Sequence, residues 1–179
     1  MGTGRERQKG RGALLFAICI VLALVSRSHA LNTGANRLTL KGLQGIRVLV
    51  EDVASEIEAS GLTKDKLQGN VESQLKKAGI TILTEAEVLK TPGEPYLYIN
   101  INAAPGKVQP NLYSYSIDIA VIQNIVLERD PKANTYGITW STGGVGITEK
   151  DSLNQLGESL VSIIDVFIES FQSANKITK

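Results

Sequence analysis

The sequence predicts an α+β fold: a two-layer sandwich whose mainly antiparallel sheet, in the chain order β-α-β-β-β-β-α, carries both helices on one face. Three observations predict it. Tyr96–Ala103 and Tyr113–Ile119 alternate apolar and polar residues with the period of a strand. Leu67–Ala78 and Leu153–Phe171 repeat apolar residues with the period of a helix, one stripe each. The helical segments flank the strands in the chain, and a helix with a single apolar stripe needs a sheet or another helix to cover it.

The chain begins with Arg5, Arg7, Lys9 and Arg11, then runs apolar for 13 residues from Ala13 to Val25 and reaches the tripeptide Ser28-His29-Ala30. A basic start, a short apolar stretch and a small-x-small site make a secretory signal peptide over residues 1–30, cleaved after Ala30. A membrane span needs roughly 20 apolar residues, so this run disfavours a retained anchor. Cys19 lies inside the run behind Ile18, where a lipidation signal carries Gly or Ala. The expectation is an exported protein, periplasmic or secreted, without a stable membrane anchor after cleavage.

Cleavage removes the only cysteine, Cys19, and the only histidine, His29. What remains has no disulfide, no Cys or His zinc site, no Cys-His pair and no Ser-His-Asp triad. Stability then rests on the core. A chain of about 150 residues suffices, since it buries nearly 70% of its unfolded surface. Of 19 Lys and Arg and 18 Asp and Glu, residues 1–30 hold five bases and one acid, leaving 14 against 17 and a net charge of −3. With no basic patch left, nucleic acid is not an expected partner.

Residues 31–44 read as an N-terminal tail, and residues 45–175 as one domain. Ile46–Val53 reads as a strand with Ile46, Val48 and Val50 on one face. Thr63 is placed to cap a helix carrying Leu67, Val71, Leu75 and Ala78, with Leu62 as a hydrophobic staple and Gly79 as its left-handed stop. Ile80–Leu83 reads as a second strand, completing a βαβ unit. The strands over 97–103 and 113–129 follow, with Ile101 opposite Tyr115 and Ile99 opposite Ile117. A one-residue slip would bury Ser114, Ser116 and Asp118, so the parity of this register is determined. A strand of this length calls for a bend or bulge near Gln123-Asn124. The chain turns at Asp130–Asn134 and returns over Thr135–Thr142. A helix from Lys150 to Asn175 closes it, capped by Asp151 or Ser152, with Leu153, Leu156, Leu160, Ile164, Phe167 and Phe171 in one stripe.

Few residues suggest chemistry. Gly143-Gly144-Val145-Gly146 fits neither a phosphate loop nor a dinucleotide fingerprint, and reads as a flexible connection to the last helix. Glu51 and Asp52 are neighbours on a strand and point to opposite faces, so they cannot share a proton as a catalytic pair. No G-x-S-x-G or calcium-loop pattern occurs. No catalytic residue, metal ligand or cofactor site is expected.

One surface is different. The inferred pairing puts Tyr98, Asn100, Asn102, Ser114, Ser116 and Asp118 on a single open sheet face, and Ile122 and Val126 extend it. This is either the ordinary solvated face of a sheet or a binding face, and its aliphatic end favours protein contact. Tyr96 stands at the rim. Trp140 either joins the rim or belongs to the core.

Gly45–Asp52 (GIRVLVED) and Ser60–Ile80 (SGLTKDKLQGNVESQLKKAGI), with the late W-x-x-G-x-x-G of Trp140, Gly143 and Gly146, resemble a family of uncharacterised exported bacterial proteins. The element order is also similar, more distantly, to envelope accessory lipoproteins: transporter-auxiliary, lipopolysaccharide-assembly and curli-secretion-type domains. Those are anchored through a Cys just after the signal, and here no Cys follows Ala30. The resemblance implies an envelope role. The expected function is a non-enzymatic interaction module of the cell envelope that binds an envelope protein or a second copy through its open sheet face. The alternatives are a periplasmic binder of a small molecule or polysaccharide and, behind it, a carboxylate-dependent hydrolase.

Overall fold

The computed structural model describes residues 27–175, so the expected signal peptide lies outside the described residues except for its last four. The fold is mixed α/β. In chain order the elements are β1 (Arg27–Leu31), α1 (Gly34–Leu38), β2 (Arg47–Val50), α2 (Ser55–Ala59), α3 (Lys64–Lys77), α4 (Glu85–Val88), β3 (Tyr96–Pro105), β4 (Leu112–Leu127), β5 (Asp130–Glu149) and α5 (Leu156–Asn175). Strands β2 to β5 form the sheet. β1 lies along the outer edge of β5, giving the order β1-β5-β4-β3-β2. Among these strands β2 and β3 pair in parallel, and the other neighbours pair antiparallel.

The sequence signals for α3 act as anticipated. The Thr63 hydroxyl accepts from the Lys66 N–H at 3.3 Å, and Gly79 takes φ +80° just beyond the C-terminus. Leu67, Val71 and Leu75 are buried beside Val48 and Val50 of β2. In α5, Leu156, Leu160, Ile164, Phe167 and Phe171 are buried, and Phe167 packs edge-on against Trp140 at 5.3 Å between ring centroids. Trp140 is thus core and does not rim the open face. Neither Asp151 nor Ser152 caps this helix. The chain enters it through a 3₁₀ turn, Lys150–Gln155, preceded by Glu149 without a side-chain cap bond.

Several elements depart from expectation. The strand over Ile80–Leu83 is reduced to one parallel bridge, Ile46 to Ile82. It ends there because Thr84 starts α4 with a capping box, exchanging bonds with Glu87 in both directions. The β3–β4 pairing keeps the expected parity but shifts by two residues: Ile99 faces Ile119, and Ile101 faces Ile117. The hairpin closes further out than the alternation suggested, where the Gly106 N–H donates to the Leu112 carbonyl at 2.7 Å. Pro105 is tolerated at the end of β3 because β2 pairs only as far as Ile99.

The turn after β4 falls at Glu128-Arg129, and β5 starts at Asp130 and runs to Glu149. The turn residues 130–134 instead form an irregularity, with Asp130 opposite Leu127 but Asn134 opposite Val126. Gly143–Gly146 is not a flexible connection. It is the interior of β5, paired with Tyr115–Asp118.

The anticipated bulge belongs to β5. Val121 faces Trp140 and Ile122 faces Ile138, leaving Thr139 as the extra residue. Its bonding is satisfied from elsewhere: the Asn36 amide donates to the Thr139 carbonyl at 3.0 Å, and the Gln123 amide to the Thr139 hydroxyl at 2.7 Å. Residues 31–44 are accordingly not a loose tail. Asn36 belongs to α1, Leu40 is fully buried, and the Asn175 amide donates to the Leu40 carbonyl at 3.0 Å.

Candidate interaction face

Strand alternation builds the open face. On β3 it carries Tyr96, Tyr98, Asn100 and Asn102; on β4, Ser114, Ser116, Asp118, Ala120, Ile122 and Val126. Asn100 faces Asp118, Asn102 faces Ser116, Ser114 faces Ala104, and Tyr98 sits between Leu49 of β2 and Ala120. The register therefore brings all eight candidate residues to one face, with Val126 at its far end opposite Asn134.

β5 supplies what the sequence reading missed. Ile138 lies beside Ile122, Tyr136 beside Asn124, Val145 beside Ser116 and Ile147 beside Ser114. These side chains are open to solvent: Val126 is 59% exposed, Ile138 55%, Val145 55% and Ile147 73%. The bulge explains Ile138. In regular alternation it would share the core face with Trp140, and the extra residue Thr139 turns it outward. Val145 and Ile147 do alternate with Gly144, Gly146 and Thr148, but the glycines hid that strand signal.

The glycines have partners. A Cβ on Gly146 would lie 2.6 Å from the Tyr115 hydroxyl and 2.7 Å from its ring, so Tyr115 covers this position on the helix side of the sheet. A Cβ on Gly144 would touch Ile163 of α5 at 3.4 Å. Glycine here admits an aromatic ring and a helix side chain close to the strand.

The face has a polar middle, around Asn100, Asp118 and Ser141, between two apolar ends. One end holds Val145 and Ile147, next to a cleft of about 350 Å³ lined by Lys107, Val108, Gln109 and Leu112 among others. The other holds Tyr96, Ile122, Tyr136, Ile138 and Val126. There Tyr96 and Tyr136 meet edge-on at 6.3 Å, and the Arg47 guanidinium lies 5.9 Å from the Tyr96 ring centre while pairing with Glu85 at 3.2 Å. The Tyr136 hydroxyl donates to the Glu94 carboxylate, and this bond to an anion pushes the phenol up to about 12. Burial, with the Glu51 carboxylate nearby, also raises Tyr98 above its ordinary value.

Glu51 and Asp52 act separately. Asp52 pairs with Lys64 at 2.8 Å, an exposed contact that holds its carboxyl below the ordinary range, while Glu51 lies towards Tyr98. Among the described residues no group of three or more His, Cys, Asp or Glu is placed to hold a metal ion, and no helix is long and apolar enough to cross a membrane. No protein-family model matches this sequence, and no curated protein matches it.

Proposed function

We propose that this chain is an exported, non-enzymatic interaction module of a cell envelope that binds a protein partner through its open sheet face. One observation carries the reading. Val126 and Ile138 stand exposed beside Ile122, Tyr96 and Tyr136, which is more apolar surface than a solvated sheet face needs. The basic start, 13-residue apolar run and Ser28-His29-Ala30 support export with cleavage after Ala30. The likeness to exported bacterial proteins and envelope accessory domains supports the setting. In this reading α3 and α5 cover one side of the sheet as a two-layer sandwich and leave the other side open.

The test is affinity capture from the native host, with the protein carrying its own signal and a C-terminal tag. Val126→Lys and Ile138→Lys are expected to lose the captured envelope proteins and keep the wild-type melting temperature. Val161→Lys, at an exposed apolar residue of α5 away from this face, is expected to keep them. Retention of the same proteins by both face variants excludes the reading, as does their equal loss from Val161→Lys.

A further inference from the structure

β1 occupies the outer edge of β5, with Arg27 opposite Gly144, Ser28 opposite Gly143 and Leu31 opposite Ser141. The proposed cleavage after Ala30 falls inside this strand. It would detach the partners of Gly143 and Gly144 and leave only Leu31 paired, while Asn32 and α1 stay fixed to Trp140 and Thr139. The edge of β5 would then be bare from Gly143 to Glu149.

We infer that residues 27–30 are a placeholder strand, and that their removal lets a second copy of the chain pair with β5, edge to edge and antiparallel. The inference rests on the export reading above. Three observations favour a second copy as the occupant. The edge accepts a strand in this sense, since β1 is antiparallel to β5. Residues 143–148 (GGVGIT) contain no charge and no proline, the devices that normally keep edge strands apart. The strand is also complementary to itself. A two-fold axis at Gly146 sets Val145 of each copy opposite Ile147 of the other on the open face, burying two exposed side chains per copy in cross-strand pairs. It sets Gly146 against Gly146 on the helix side, where Tyr115 already fills the space. The two sheets become one, and their open faces continuous.

The experiment uses the full chain exported with its own signal, followed by N-terminal sequencing and light-scattering mass. The expected product begins at Leu31 and has twice the mass of one mature chain. Val145→Lys and Ile147→Lys are expected to be monomers with unchanged melting temperature, while Val126→Lys, at the far end of the face, stays dimeric. Because the mature chain lacks cysteine, co-expressed Val145→Cys and Ile147→Cys chains should join through an interchain disulfide, and neither variant should do so comparably alone. A monomer beginning at Leu31 overturns the inference and leaves cleavage standing. A product beginning upstream of Leu31 overturns the cleavage reading and the inference with it. A dimer that survives Val145→Lys and Ile147→Lys overturns the edge as its location.

Discussion

The indole N–H of Trp140 donates to the side-chain oxygen of Asn32 at 3.1 Å, joining residues 108 positions apart. The same oxygen accepts from the Arg37 guanidinium at 2.8 Å and the Ser170 hydroxyl at 3.4 Å. Trp140 is fully buried, so its N–H has no water to turn to if Asn32 is lost. The first residues after Ala30 are thereby tied to the middle of the core.

Asn32→Ala is therefore expected to destabilise the protein by about 1–3 kcal/mol, the cost of one buried donor left unpaired. For a domain of this size each kcal/mol lowers the melting temperature by roughly 2–4 °C. Thermal melting followed by tryptophan fluorescence reports both the loss and its location. An unchanged melt would show that the bond contributes nothing.

Gly146 and Tyr115 form a second coupled pair. Gly146→Val drives a branched side chain into the Tyr115 ring and is expected to cost about 1–3 kcal/mol, as overpacking does. With Tyr115→Ala in the same chain the clash disappears, so the two losses should add to more than the double variant shows. A double-mutant cycle in urea measures that difference, and simple additivity would contradict the packing described.

Ile138 and Trp140 are two residues apart yet on opposite faces, which makes a sharp contrast in stability. Ile138→Lys is expected to change stability by no more than about 0.5 kcal/mol, as exposed substitutions do. Trp140→Ala is expected to cost about 3–5 kcal/mol, as large buried aromatics do. Comparable losses at both positions would mean that Thr139 does not reverse the alternation.

A hydrogen-bonded carboxylate and a hydrogen-bonded phenol give opposite pH dependences. Glu87 accepts from the Thr84 N–H at 2.8 Å and its hydroxyl at 2.7 Å, which holds its carboxyl below the ordinary 4.5. Its contribution is present above 4.5 and lost as the pH falls through the lowered folded value, so Glu87→Gln should flatten the acid side of the stability curve. Tyr136 is raised from 10.0 to about 12 by Glu94, so its contribution is present below 10 and lost as the pH rises towards 12. Ultraviolet titration of the phenol should place it near 12, and Glu94→Gln should return it towards 10.0. A Tyr136 that titrates normally in the unaltered protein would remove this contact.

The sequence by itself determined the elements whose signals are local. The Thr63 cap, the Leu67–Leu75 stripe and the Gly79 stop are legible because helix periodicity and capping act within a few residues. The stripe from Leu153 to Phe171 is legible for the same reason, and so is the face shared by Tyr98, Asn100, Asn102, Ser114, Ser116 and Asp118, since alternation fixes parity. Tertiary structure decided what depends on a partner strand. The two-residue shift of β3 against β4 needed the hairpin closure at Gly106. The outward turn of Ile138 needed a bulge at Thr139, whose carbonyl is satisfied by Asn36 from a distant segment. Gly143–Gly146 lies in a strand because it pairs with Tyr115–Asp118, with Ile163 and Tyr115 filling the space beside Gly144 and Gly146. Residues that look like a loop or a tail in isolation are held in place here by bonds that no local pattern encodes.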